Sequence, residues 1–309
     1  MKALVTGCAG FIGSSITDYL LKNGYQVFGI DCFTDYYARS VKEDNISDAL
    51  ISGNFTFIEK NLLDIDDYPN VDFIFHQAAQ AGVRASWGQN FDIYLQNNVK
   101  ATQKLLEYYK DKKIQKFVYA SSSSVYGDTE ERPMHEKSYL RPYSPYGVTK
   151  LAAENLCTLY YKNYGVPTVS LRYFTVYGPR QRPDMGINRF VSSILNNKKI
   201  TIYGDGSQTR DFTFIDDVVE ANILASKSNL AGEIFNVGGG NTISVINLIR
   251  LIEKITGKQA DIFFIEKQKG DVNDTWADVR KISDSLKWKA KTNIDKGLQR
   301  YIEWYINYA

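Results

Sequence analysis

Histidine occurs only twice in the 309 residues and cysteine three times. His76 and His135 alone do not supply a histidine-rich metal site, so no metal centre is expected. Cys8, Cys32 and Cys157 are odd in number and stand at no metal-binding spacing. A disulfide framework is not expected, and a reducing cytoplasm is the natural home. An excess of one charge is missing too: 37 basic residues are intermixed with 35 acidic ones, for a net charge of +2. Without a polyanion footprint, nucleic acid is not the expected partner. No long uncharged apolar run occurs, and Met1 leads directly into "KALVTG", which reads as a strand. Neither an export signal nor a membrane span is expected.

What is present is apolar content of 44% in a chain long enough for a large core. Strand-like runs at 2–6, 25–31, 55–60, 71–77, 116–121 and 167–174 alternate with helical stretches at 11–23, about 92–112 and 145–164. Near-continuous apolar strands separated by helices predict an α/β fold: a parallel sheet covered on both faces, doubly wound in the Rossmann manner. After residue 175 glycine turns such as "YGDGSQ" and "NVGGGN" make the pattern irregular. The expected division is a dinucleotide-binding domain over 1–175 and a smaller lobe over 176–309, with some segments of the lobe returning to the sheet.

"VTGCAGFIG" follows the first strand and opens a helix, with Gly7, Gly10 and Gly13 at three-residue intervals. Such a loop lets the backbone approach a pyrophosphate, which then rests on the positive end of the helix. The second strand ends at Asp31, eighteen residues after Gly13. An acid there accepts hydrogen bonds from ribose hydroxyls and repels a 2′-phosphate, so NAD is expected rather than NADP. In "YSPYGVTK", Tyr146 and Lys150 share one helix face, with Pro145 suited to the first turn and Ser144 to the N-cap. A phenol is a poor base at neutral pH, and a nearby ammonium together with a cofactor hydroxyl would lower its pKa. Taken alone this is an ordinary surface pair; with a glycine loop and a serine cluster it reads as an active site.

The glycine loop, the Tyr-x-x-x-Lys pair and the serine ahead of it resemble those of the extended short-chain dehydrogenase/reductases. The resemblance continues through "NNVKAT" (97–102), "RYFTVYGPRQRP" (172–183), "GDGSQTRDFTFIDD" (204–217) and "GDVNDTWAD" (270–278), a set specific to enzymes of nucleotide-linked sugars. It implies that Tyr146 is the base, Lys150 its electrostatic support, and Ser122 a hydrogen-bond partner of the sugar O4. The expected NAD contacts are Gly7, Gly10, Phe11, Ile12 and Gly13 in the loop, then Asp31, Asn61 and Leu62. Gln77, Ala78, Ala79, Asn98 and Tyr173 complete them, with Tyr146 and Lys150.

"VYASSSSVYG" (118–127) narrows the chemistry. The 4,6-dehydratases of this family carry an Asp-Glu pair just before "VYG", and the UDP-glucuronate decarboxylases a Glu. Here those positions hold Ser123 and Ser124. Redox-neutral epimerase chemistry, which needs only a base and a hydride carrier, is what remains. Thr175 stands where most UDP-glucose 4-epimerases have Asn, and Gln268 where the hexose enzymes usually have Arg. Together with "GVRASWG" (82–88), these features most resemble the UDP-glucuronate 4-epimerases. The residue types fit: Ser122, Ser123, Ser124 and Thr175 would ring a C6 carboxylate with neutral donors. A UDP-glucose or UDP-N-acetylglucosamine 4-epimerase stays open as the alternative. So does a non-catalytic NAD-binding module, against which the intact Tyr146, Lys150 and Ser122 argue.

Guanidinium forks suit phosphate oxygens, so Arg210 and Arg182 are expected at the diphosphate. The resemblance places Asn188, Arg189, Tyr203 and Asp271 around the nucleotide, and Arg84 at the sugar or its carboxylate. His76 and Arg172 are expected to be structural. The two later helices carry apolar residues on more than one side, such as Leu151, Leu156, Leu159 and Tyr160 in the second. Relatives pair these helices with a partner's, which implies a homodimer.

Overall fold

The computed structural model describes residues 1–308 except 267 and 269. Its strands are β1 (Lys2–Thr6), β2 (Gln26–Asp31), β3 (Phe55–Glu59), β4 (Phe73–His76), β5 (Lys116–Ser122), β6 (Thr168–Tyr173), β7 (Thr175–Tyr177), β8 (Ile200–Tyr203), β9 (Thr209–Phe214), β10 (Glu233–Val237), β11 (Thr242–Ser244) and β12 (Ile262–Ile265). The helices are α1 (Phe11–Lys22), α2 (Arg39–Leu50), α3 (Phe91–Tyr94), α4 (Ala101–Tyr109), α5 (Pro145–Tyr164), α6 (Gly186–Leu195), α7 (Ile215–Lys227), α8 (Val245–Thr256), α9 (Arg280–Leu286) and α10 (Ile294–Tyr308).

The main sheet has seven parallel strands in the order β10-β6-β5-β4-β1-β2-β3. All six strands read from the sequence are in it. β10 comes back from the second half of the chain to pair with β6. The strands are apolar throughout because both faces are covered. Alternation sends Ala3, Val5, Phe75 and Val118 into one core with Phe11, Ile16 and Val218. Leu4, Ile74, Phe117 and Tyr119 enter the other, with Leu105, Leu106, Ala153 and Cys157. Strand order reverses between β1 and β4. The crevice at such a switch point, beyond the carboxyl ends of the strands, is where doubly wound sheets bind ligands.

Ser144 caps α5 as its position predicts: its hydroxyl accepts from Gly147 N–H at 3.1 Å, and Pro145 occupies the first turn. The helix expected over 92–112 is interrupted. Between α3 and α4 the chain winds as a π-turn, Leu95–Lys100. The wider turn directs Asn98 inward, where its amide grips Gln80 N–H (2.7 Å), Gln80 C=O (3.1 Å) and Thr149 Oγ1 (3.0 Å). Two smaller sheets, β11-β9-β7 and β12-β8, build the other wall of the crevice with α6 and α8. Among the described residues no helix is long and apolar enough to cross a membrane.

Candidate active site

A single cavity of about 1140 Å³ runs along the switch point between the main sheet and the smaller sheets. At one end lies the glycine loop. Gly7 takes φ +67°, and a Cβ there would stand 2.8 Å from the Ala78 backbone. At Gly13 a Cβ would stand 2.0 Å from the Gly7 carbonyl oxygen, so the first turn of α1 lies directly on the loop. Asp31 closes this end: its carboxylate accepts from Ala9 N–H at 3.1 Å and Phe33 N–H at 2.9 Å. Burial raises its pKa, while these backbone bonds and the Lys42 ammonium lower it. Lys42 itself donates to the Thr34 carbonyl. Gly10, Phe11, Ile12, Asn61, Leu62, Gln77, Ala78, Ala79 and Tyr173 line the same stretch.

Midway, Tyr146 and Lys150 project from α5 beneath the turn formed by Ser122, Ser123 and Ser124, and Thr175 joins the wall. Helix and turn touch closely: a Cβ at Gly147 would stand 2.5 Å from the Ser124 carbonyl oxygen. Burial raises the Tyr146 pKa, and a hydrogen bond with Ser122 and the Arg182 charge lower it. Burial also pulls Lys150 down to about 7, with Cys157 and Glu154 acting against it. The Lys150 ammonium lies 4.5 Å from the centre of the Tyr119 ring. It is nearly buried yet makes no hydrogen bond among the described residues, so its donors remain for a ligand.

The far end is cationic. Arg84 pairs with Asp271 (2.7 Å) and lies 3.9 Å over the Tyr203 ring. The Arg210 guanidinium is held by the carbonyls of Thr209 (2.8 Å), Val272 (2.9 Å) and Asn273 (2.9 Å). Arg189 completes this wall. Among the described residues no group of acids, cysteines or histidines is arranged to hold a metal.

A tight glycine loop on a helix start, an acid ending β2 and a mid-cavity lysine that makes no hydrogen bond among the described residues fit a dinucleotide. Comparison with known proteins decides the family. Residues 3–238 match the model of the NAD dependent epimerase/dehydratase family. The chain belongs to that family. A UDP-glucuronate 4-epimerase of Thermodesulfobacterium geofontis is 42% identical, over 97% of this chain and 95% of its own. An uncharacterised UDP-glucose epimerase, YtcB, of Bacillus subtilis is 45% identical over 98% of each chain. The crystal structure of UDP-glucuronic acid 4-epimerase from Bacillus cereus, in complex with UDP-glucuronic acid and NAD, superposes with a TM-score of 0.96 at 43% identity, each chain fully covered. NAD is the cofactor of this epimerase-family chain.

The epimerase fold gathers most of the expected residues and redirects a few. Asn98 does not line the cavity; its amide is used up on Gln80 and Thr149, while its neighbour Asn97 does line it. Asn188 is also turned away, its amide donating to the Gln181 carbonyl at 3.0 Å. Arg84, expected at the sugar or its carboxylate, lines the cavity and bonds Asp271 while lying over the Tyr203 ring. Arg182, expected at the diphosphate, lines the cavity too, where it binds Asp184 at 2.9 and 3.0 Å. It thus supplies a cation that lowers the Tyr146 pKa against the burial that raises it. His76 and Arg172 are structural, as expected: His76 is held between Thr6 and Thr102, and Arg172 is paired with Glu154. Sequence reasoning missed Tyr36, Lys42 and Asp184. Tyr36 reaches from the loop after β2 to Asp184 at 3.3 Å, a contact that only the closure of the crevice creates.

Proposed function

We propose that this protein is a UDP-glucuronate 4-epimerase, interconverting UDP-glucuronate and UDP-galacturonate through a 4-keto sugar. The carrying observation is the wall opposite the Tyr146–Lys150 pair: Ser122, Ser123, Ser124 and Thr175 line the same cavity, and no carboxylate occupies the serine turn. When bound, NAD supplies the acceptor and then the donor of the C4 hydride. Tyr146 removes the O4 proton and later returns it on the other face, after the sugar has turned about its diphosphate linkage. Ser122 bonds both the phenol and O4 and so carries the proton between them. The Lys150 donors orient the cofactor ribose, and the Arg182 charge stabilises the phenolate.

The 4-keto sugar is a β-keto acid, which loses CO2 when its C5–carboxylate bond aligns with the carbonyl π system. Several small hydroxyls hold the carboxylate out of that alignment and draw little charge away from it. Arg210 and Arg189 take the diphosphate; Arg84, Tyr203 and Asp271 enclose the nucleotide. Residues 1–175 carry NAD and the sugar-facing serine turn and Thr175, and 176–309 carry mainly the nucleotide end of the substrate, with β10 returned to the main sheet.

The exposed Ile93, Leu95, Val148 and Leu159 on the two helices support a homodimer, whereas Leu151, Leu156 and Tyr160 pack inward. The chemistry fits a cytoplasmic enzyme. A second reading, a UDP-glucose 4-epimerase, has in its favour the description of the Bacillus subtilis relative; UDP-N-acetylglucosamine belongs to the same reading. Incubation with UDP-glucuronate and UDP-glucose in parallel, with chromatographic separation of products, tests the choice. Faster turnover of UDP-glucuronate without UDP-pentose is expected. A wide preference for UDP-glucose would replace this reading by the second.

A further inference from the structure

One serine of the four, Ser121, borders the cavity but spends its hydroxyl on a buried acid behind the wall. Alternation along β5 sends Ser121 and Ser122 to opposite faces. The parallel register sets Ser121 beside Arg172, and Ser122 beside Tyr173. Ser121 and Arg172 converge on one buried acid, Glu154 of α5, which follows Lys150 by one helical turn. Ser121 Oγ donates to Glu154 Oε2 at 2.6 Å. Arg172 donates through Nε to Oε2 at 2.9 Å and through Nη2 to Oε1 at 2.7 Å. Both members of the pair are 1% exposed. The rest of the guanidinium reaches beyond the serine turn: Nη1 donates to the Tyr126 hydroxyl at 2.8 Å, and that hydroxyl donates to Asn236 Oδ1 at 2.7 Å. The network therefore grips the turn on both flanks, at Ser121 and at Tyr126, and ties it to the helix that carries the base.

We propose that Glu154 is a positioning residue for the reaction: its carboxylate, shared by Ser121 and Arg172, locks α5 against the serine turn and thereby sets Tyr146 against Ser122 and the substrate O4. The inference rests on Tyr146 being the base. Glu154 lies about 12 Å along the helix axis from Tyr146, at ~1.5 Å per residue, so it acts through the helix and not by contact. Tolerance at the other end is small, since Gly147 leaves no room for a Cβ beneath Ser124. A shift of about 1 Å at a reacting pair costs on the order of a hundredfold in rate. Glu154 also faces Lys150, together with Cys157 and Tyr146 from α5, Tyr119 from β5 and His76 from β4. Its negative charge helps Lys150 keep its proton.

The test uses Ser121→Ala, Glu154→Gln and the volume-conserving double variant Glu154→Met/Arg172→Met, with Tyr146→Phe as the control for the base. NAD content, kcat, KM and the pH profile are measured on whichever UDP-sugar the wild type turns over. Ser121→Ala should hold NAD and keep KM within about twofold while kcat falls about tenfold, a sub-ångström misplacement. The double variant should fold, because an apolar pair can replace a buried ion pair, yet lose on the order of a hundredfold in kcat. Glu154→Gln should move the alkaline limb of kcat to lower pH, since Lys150 then gives up its proton more easily. Wild-type kcat in both Ser121→Ala and the double variant overturns the proposal. So does a loss of activity that only parallels loss of folded, NAD-loaded protein, because the network would then serve stability alone. Near-normal turnover by Tyr146→Phe would sink the underlying reading of the base instead, and a preference for UDP-glucose leaves the proposal standing.

Discussion

Gly13→Ala offers a direct test of how the first helix serves the cofactor. The added Cβ would stand 2.0 Å from the Gly7 carbonyl oxygen, 2.7 Å from its carbon and 3.1 Å from Cys8 Cα. These are backbone atoms, so no rotamer change relieves the contact, and α1 must retreat from the loop by about 1.4 Å to reach an ordinary separation. The retreat carries the N–H groups at the start of α1 away from the site where an anion would rest. Each hydrogen bond to a charged group is worth about 1.5–3 kcal/mol, so weakening two of them costs about 3–6 kcal/mol. That corresponds to roughly a hundredfold to ten-thousandfold in NAD affinity. The assay is release of dinucleotide from acid-denatured, purified protein. Wild type should yield roughly one NAD per chain, as a single site of this kind implies, and Gly13→Ala less than about a tenth of that by the same affinity argument. Far-ultraviolet circular dichroism should show the variant folded, and a large excess of added NAD should restore part of the activity. Full NAD occupancy in Gly13→Ala would refute the assignment of this helix start to the cofactor.

Tyr146→Phe should remove most turnover, on the order of a hundredfold or more, while NAD content and melting temperature stay close to wild type; a near-normal rate would mean another group is the base. Thr175→Ala should slow UDP-glucuronate turnover and release UDP-pentose while affecting UDP-glucose little; chromatography that shows equal effects on both sugars would count against the carboxylate wall. A pH prediction follows from His76. Its Nε2–H donates to Thr102 (2.9 Å), whose hydroxyl donates to the Asn98 carbonyl, and its Nδ1 accepts from Thr6 (2.7 Å). Burial holds this neutral ring down to about 3. Below the ordinary histidine range the unfolded chain binds a proton that the native state refuses. Stability from this group is therefore complete above about pH 6.5 and is lost as pH falls, at about 1.4 kcal/mol per pH unit. Denaturant melts at pH 6.5 and 4.5 should show a smaller acid loss in His76→Gln than in wild type, and parallel losses would contradict the argument.

Much of this protein is written in local pattern. The six strands, the cap at Ser144, the glycine loop and the terminal acid of β2 are legible because each follows from short-range rules: alternation, turn conformation and helix-end hydrogen bonding. Lys150 and Tyr146 share a face by helical spacing alone. Partners that meet only after the crevice closes are another matter. Asn98 and Asn188 look like ligands in the sequence, yet a π-turn and the carbonyl of Gln181 consume their amides. Arg182 reads as a phosphate binder, and its nearness to Tyr146 depends on a loop laid across the sheet. Nor does the order of residues say that Ser121, Arg172 and Glu154 share one buried charge pair, since strand register and helix docking bring them together. The sequence alone determined which chemical groups the site owns and the elements that carry them. Tertiary structure decided which of those groups are free to act. A polar side chain has a small number of hydrogen bonds to give, and long-range packing decides whether another part of the chain has already taken them.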